Sequence, residues 1–108
     1  MYTEIARDPE GYLLNPEDWD ENIATELAGE EGIELGDGYW PLFRFIRSFY
    51  DERGIAPDVR HVLKQLVVEH GYDKKQAKKY LYELFPYGYV QQACKISGMR
   101  RPRAWSTG

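Results

Sequence analysis

Three features of the amino-acid sequence predict a mainly α-helical fold: a small orthogonal bundle of about five helices with a helix-turn-helix-like centre, an N-terminal β-hairpin and a flexible C-terminal arm. Apolar residues recur at helical spacing, at Leu42, Phe45, Ile46 and Phe49 and again at Val59, Val62, Leu63, Leu66 and Val67. Helix punctuation brackets these stripes, with Asp73 as a start and Gly54 and Pro86 as stops. The 108 residues, 43% hydrophobic and 15% aromatic, suffice for one modest core built on rings as much as on aliphatic side chains.

Taken in order, Glu4 to Ala6 and Tyr12 to Leu14 flank the turn signal Arg7-Asp8-Pro9-Glu10-Gly11, which predicts the hairpin over residues 1–14. Asn15 followed by Pro16 reads as the start of helix one, with Glu17 and Asp18 in its electropositive first turn. That helix is expected to reach about Ala28 and to turn Trp19, Ile23 and Leu27 inward. Asp37 can cap helix two, which ends at Gly54. A tight connection leads into helix three, from about Pro57 to His70, and Asp73 caps helix four, which buries Ala77, Leu81 and Leu84 with Tyr80 alongside. A last short helix from about Tyr89 ends at Gly98. The expected organisation is a single domain: hairpin 1–14, helical body 15–98 and arm 99–108.

Charge is distributed unevenly. Met1 to Leu35 hold eleven acids against one base, Arg7, whereas the chain from Pro86 onward holds four bases and no acid, within a net charge of −4. The acidic part, including Glu17, Asp18 and Glu21, reads as a solvated face rather than an acid–base pair. The single cysteine excludes an intramolecular disulfide and suits a reducing compartment. With no cationic leader ahead of an apolar stretch and no apolar run of about 18 residues, the expectation is a cytoplasmic protein with no direct membrane insertion.

The chemistry-bearing stretch is Leu84 to Gly108, LFPYGYVQQACKISGMRRPRAWSTG. Cys94 lies there among Lys95, Arg100, Arg101 and Arg103, and cations favour the nucleophilic thiolate over the thiol. The residues alone leave two roles open, a small buried hydrophobe or a reactive sulfur on a movable arm. In the second, Cys94 is expected to be partly accessible, and Trp105 can anchor the arm to a pocket. His61 and His70, nine residues apart on one predicted helix, point to nearly opposite sides and with one Cys form no plausible zinc site, so no metal or cofactor is expected. Lys74, Lys75, Lys78 and Lys79 form a basic edge on helix four, read as a solvated face or a docking site for an acidic partner or nucleic acid. Helices two and three could present Arg60, His61 and Lys64 to duplex DNA, although the acidic balance of the chain disfavours phosphate binding.

The segments EGYLLNPEDWDENIATELAGEEGI, GIAPDVRHVLKQL, KKYLYELFPYG and QACKISGM followed by RRP resemble, in order and spacing, the DsrC/TusE/DsvC family of sulfur-relay proteins. The resemblance covers nearly the whole chain. It implies a small carrier, rather than a turnover enzyme, that docks its C-terminal arm into partners. Those partners would be a dissimilatory sulfite reductase, a sulfurtransferase of a relay for tRNA thiolation, or a membrane-bound disulfide reductase. It further implies that Cys94 carries sulfur as a persulfide, and the cationic arm with its amphipathic ring offers Lys95, Arg100, Arg101, Arg103 and Trp105 to meet the partner. The family usually has a second Cys eleven positions after the first, near its C-terminus, and here that position is Trp105. The expected protein is therefore a single-thiol variant. The alternative is a regulatory paralogue that binds DNA through its helix-turn-helix without transferring sulfur.

Overall fold

The computed structural model describes residues 5–101. Among them four α-helices, α1 (Glu21–Glu30), α2 (Trp40–Arg53), α3 (Val59–His70) and α4 (Lys74–Leu84), precede a π-helix over Tyr89–Cys94. The expected mainly helical architecture is present, and α3 packs against both α2 and α4.

The helix ends follow from local chemistry. The Asp58 carboxylate accepts from the Arg60 and His61 N–H groups and starts α3. Asp73 and Gln76 form a reciprocal capping box at the start of α4, each side chain accepting from the other residue's backbone N–H. Gly54 ends α2 in the left-handed region at φ 75°. Helix two begins later than Asp37 implies, at Trp40, with Pro41 in its first turn, where the missing N–H costs nothing.

Two sequence-based expectations are overturned near the N-terminus. The β-hairpin over 1–14 is not formed among the described residues, which contain no strand; a single antiparallel bridge joins Arg7 and Leu13. The chain does reverse there, because the Asp8 carboxylate accepts at 2.9 Å from the N–H groups of both Glu10 and Tyr12. Tyr12 and Leu13 then drop into the core at 3% and 1% exposure instead of extending a strand. Helix one is also broken. Asn15 makes no side-chain cap, Pro16–Asp18 form one 3-10 turn, and Trp19 is extended. Asp20 supplies the true cap, accepting from Ile23 N–H at 2.9 Å. The break frees Trp19 from the helical stripe and lets its ring turn toward the C-terminal segment.

The core joins Leu13, α1 (Ile23, Leu27), α2 (Leu42, Phe43, Ile46), α3 (Val62, Leu66), α4 (Ala77, Leu81) and the C-terminal residues Phe85, Tyr89, Ala93, Cys94, Ile96 and Met99. Phe43 rather than Phe45 takes the deep position on α2, with Phe85 at 6.1 Å and Trp40 edge-on at 5.6 Å.

Candidate functional site

The last helix is built around Cys94, and the structure places that thiol inside. Its exposure is 0%, so the expected partial accessibility is not found. Burial pushes the thiol up to about 12, opposed only by the neighbouring Tyr89 phenol. Tyr89 is itself buried and directs its proton at the carbonyl of Pro57. The described cations near it in sequence, Lys95, Arg100 and Arg101, do not lower the thiol pKa, because each is engaged by another group.

Lys95 pairs with Glu31 at 3.1 Å and lies 5.2 Å from the centre of the Tyr12 ring. Glu31 also accepts from Gln92 at 3.3 Å. Arg100 donates to the Leu14 carbonyl at 2.9 Å, and Arg101 pairs with Glu10 at 2.6 Å. Arg103 and Trp105 lie outside the described residues. Of the predicted partner-binding residues, Arg100 and Arg101 thus hold the root of the arm against the N-terminal turn, and Lys95 ties the last helix to the end of α1. Met99, expected in a mobile arm, is a core residue at 1% exposure.

Backbone geometry explains why the chain stops and turns just beyond Cys94. The Met99 N–H donates to the Cys94 carbonyl at 3.0 Å and the Gly98 N–H to the Lys95 carbonyl at 3.1 Å, the two bonds of a Schellman ending. Ser97 Oγ adds a third contact, 3.1 Å to the same Cys94 carbonyl. Gly98 is required twice. Its φ is +84°, and a Cβ there would lie within 2.7 Å of Trp19 Cβ and still closer to the ring.

Two residues that sequence reasoning did not assign to this site clamp it from outside. The Trp19 indole donates to the Ile96 carbonyl at 2.7 Å. Arg47 stacks over the Trp19 ring at 4.4 Å and donates at 2.8 Å to both the Ser97 and Pro16 carbonyls. Removal from water pulls the Arg47 guanidinium below its usual range. Neither residue carried a readable signal. Trp19 falls on an apparent helical stripe, and nothing adjacent in sequence to Arg47 marks it as a clamp.

The remaining candidates stay apart from this site. Among the described residues no group of three His, Cys, Asp or Glu could hold a metal. Among the described residues no helix is long and apolar enough to cross a membrane. Of the expected DNA-facing side chains, Arg60 pairs with Asp58 at 2.9 Å, and His61 lies 3.0 Å from the same carboxylate and 4.7 Å from the Phe49 ring.

With this geometry in hand, comparison with known proteins is direct. The "Sulfurtransferase TusE" of Photorhabdus laumondii subsp. laumondii is 43% identical over 99 residues, covering 92% of this chain and 88% of its own. The oxidized gamma-subunit of the dissimilatory sulfite reductase (DsrC) from Archaeoglobus fulgidus superposes with a TM-score of 0.81 at 32% identity, over 93% of this chain and 90% of that one. Allochromatium vinosum DsrC superposes at 0.79 with 39% identity, over 93% and 88%. Residues 1–104 match the family described as "DsrC like protein", and the chain belongs to that family.

Proposed function

We propose that this protein is a sulfur-relay component that carries sulfur on Cys94 and presents it when the last helix opens against a partner. The observation that carries this reading is that the only thiol of a chain similar to sulfurtransferases sits where the helix meets a separately clamped exit segment. In the closed state the thiol is protonated and out of reach. Opening would return it to water, where its pKa falls toward the ordinary thiol value.

The transfer step needs no outside oxidant. The Cys94 thiolate attacks the outer sulfur of a donor persulfide, the donor's S–S bond breaks, and the donor leaves as a thiolate while Cys94 becomes the persulfide. The reverse sequence hands the sulfur on. With Trp105 in place of a second thiol, release to an internal disulfide is closed to this chain, so the acceptor sulfur must come from the partner. We take the arm beyond Met99 as the docking element, with Lys95, Arg100, Arg101, Arg103 and Trp105 facing a sulfurtransferase of the relay or a sulfite reductase-like protein. The reducing cytoplasm suits such a carrier. The regulatory, DNA-binding alternative has less support, since Arg60 and His61 are occupied by Asp58.

The test is intact mass after incubation with a small-molecule persulfide donor. One added sulfur is expected, removed by a thiol reductant and absent in Cys94→Ser. A chain that acquires sulfur only after unfolding would make Cys94 a core residue and end the carrier reading.

A further inference from the structure

The basic edge of α4 is unexplained by any role assigned to Cys94. Lys74, Lys75, Lys78 and Lys79 are all exposed, and Tyr82 is 43% exposed. At about 100° per residue, these five side chains fall within an arc of roughly 140° with Tyr82 near its centre. Ala77 and Leu81, at 0% and 2% exposure, lie beyond the Lys74 edge of that arc and are held in the core. The lysines make two rows, Lys74–Lys78 and Lys75–Lys79, each with a spacing of roughly 6 Å. Among the described residues none of the four enters an ion pair. The face is rigid as well, because α4 is fixed by its capping box and by packing on α3.

We propose that this face of α4 is a docking surface for a protein partner that presents a compact cluster of carboxylates around an apolar or aromatic contact. Four like charges on one short helix repel one another, with Glu83 at i+4 from Lys79 offsetting only one of them, so an opposite charge meeting the face relieves the arrangement. Tyr82 supplies what a solvated lysine face does not need, a half-exposed ring amid the charges, of the type that anchors protein interfaces.

The same lysines would attract phosphates, but a nucleic acid extends well beyond the roughly 12 Å from Lys74 to Tyr82. It would then meet a chain of net charge −4 whose first 35 residues hold eleven acids. A protein surface with localised carboxylates meets the patch without that repulsion. The surface is independent of the Cys94 chemistry.

The experiment is a fluorescence-anisotropy titration of the full chain with two labelled probes. One is a helical peptide with glutamates at i, i+4 spacing around a single leucine; the other is a single-stranded oligodeoxynucleotide of equal formal charge. The peptide is expected to bind, more weakly as ionic strength rises. The doubly substituted Lys75→Glu/Lys79→Glu chain should lose about tenfold or more in affinity, and Tyr82→Ala several-fold. Arg44→Glu/Lys64→Glu makes the same change in net charge elsewhere and should have little effect. Circular dichroism of each variant verifies that α4 is retained. Equal losses in the two double variants would reduce the effect to net charge and overturn the proposal. Tighter binding of the oligonucleotide than of the peptide would overturn it in favour of a phosphate-binding face.

Discussion

The indole nitrogen of Trp19 donates a 2.7 Å hydrogen bond to the carbonyl of Ile96, joining the segment before α1 to the residue two beyond Cys94. The bond lies 77 positions apart in sequence and fixes the exit of the last helix rather than its body. Arg47 reinforces it by covering the indole and holding the next carbonyl, that of Ser97. An opening of the last helix at its exit would therefore break contacts to Trp19 and Arg47.

Trp19→Phe keeps a ring in place but leaves the Ile96 carbonyl without this donor. A loss of about 1 kcal/mol is expected, with an increase of about fivefold in the rate of Cys94 alkylation under native conditions. Urea unfolding and timed alkylation measure the two effects. Reduced stability with an unchanged alkylation rate would mean that the clamp does not gate the thiol.

Gly98 and Gly54 make a controlled pair, since both have positive φ but only Gly98 is crowded. Gly54→Ala should cost about 1 kcal/mol for the left-handed backbone alone. Gly98→Ala adds a collision with the Trp19 ring and should cost distinctly more, with faster labelling of Cys94. Comparable midpoints for the two variants would count against the Trp19 contact as a constraint.

The reach of sequence reasoning divides along physical lines. Where a single side chain caps its own helix, as Asp73 does for α4, or a glycine stops one, as Gly54 does for α2, the cause is local and readable. The stripes Val62–Leu66 and Ala77–Leu81 were legible for the same reason. Asn15-Pro16 promises a helix start as good as Asp20's, but in the fold the Pro16 carbonyl is held by Arg47 and the Trp19 indole by the Ile96 carbonyl. Those are long-range contacts with no local trace. Of the two roles that the residues leave open for Cys94, the buried one matches its environment, and the cations next to it in sequence are not next to its thiol in space. Lys95, Arg100 and Arg101 point to Glu31, Leu14 and Glu10.

Met99 gives a direct test of where the body ends. Its N–H completes the Schellman ending and its side chain is fully buried. Met99→Ala should cost about 2–4 kcal/mol, the range for a core truncation. A loss below about 0.5 kcal/mol, typical of a surface position, would return Met99 to the arm.

The buried thiol also predicts a dependence on alkaline pH. Its folded value is raised from 9.0 to about 12, so the folded chain keeps a proton that the unfolded chain gives up. This contribution is fully present below the unfolded-state value and is lost as pH rises toward the folded one. Tyr12 is likewise raised, from 10.0 to about 12, and Tyr89 is raised further. The tyrosines act in the same direction, but from a higher starting pH. Between about pH 9 and 10 the wild type should therefore lose stability more steeply than Cys94→Ala. Parallel slopes for the two proteins in urea titrations would contradict the buried, protonated thiol.

Finally, Trp105→Cys asks whether position 105 can reach Cys94. The ten intervening residues can extend roughly 33 Å, so length does not prevent contact, although a bridge needs Cα atoms within about 7 Å. Closing the loop costs about 3 kcal/mol of chain entropy, which a mild oxidant can overcome. Because the native thiol is fully buried, oxidation should be limited by opening of the last helix rather than by oxidant. The rate should then level off with oxidant concentration and rise when Trp19→Phe is combined with Trp105→Cys. Success is a monomer lighter by two hydrogens with both thiols blocked to alkylation. If dilute oxidation produces only intermolecular dimers, the arm of this chain does not return to Cys94, and a partner must come to the thiol instead.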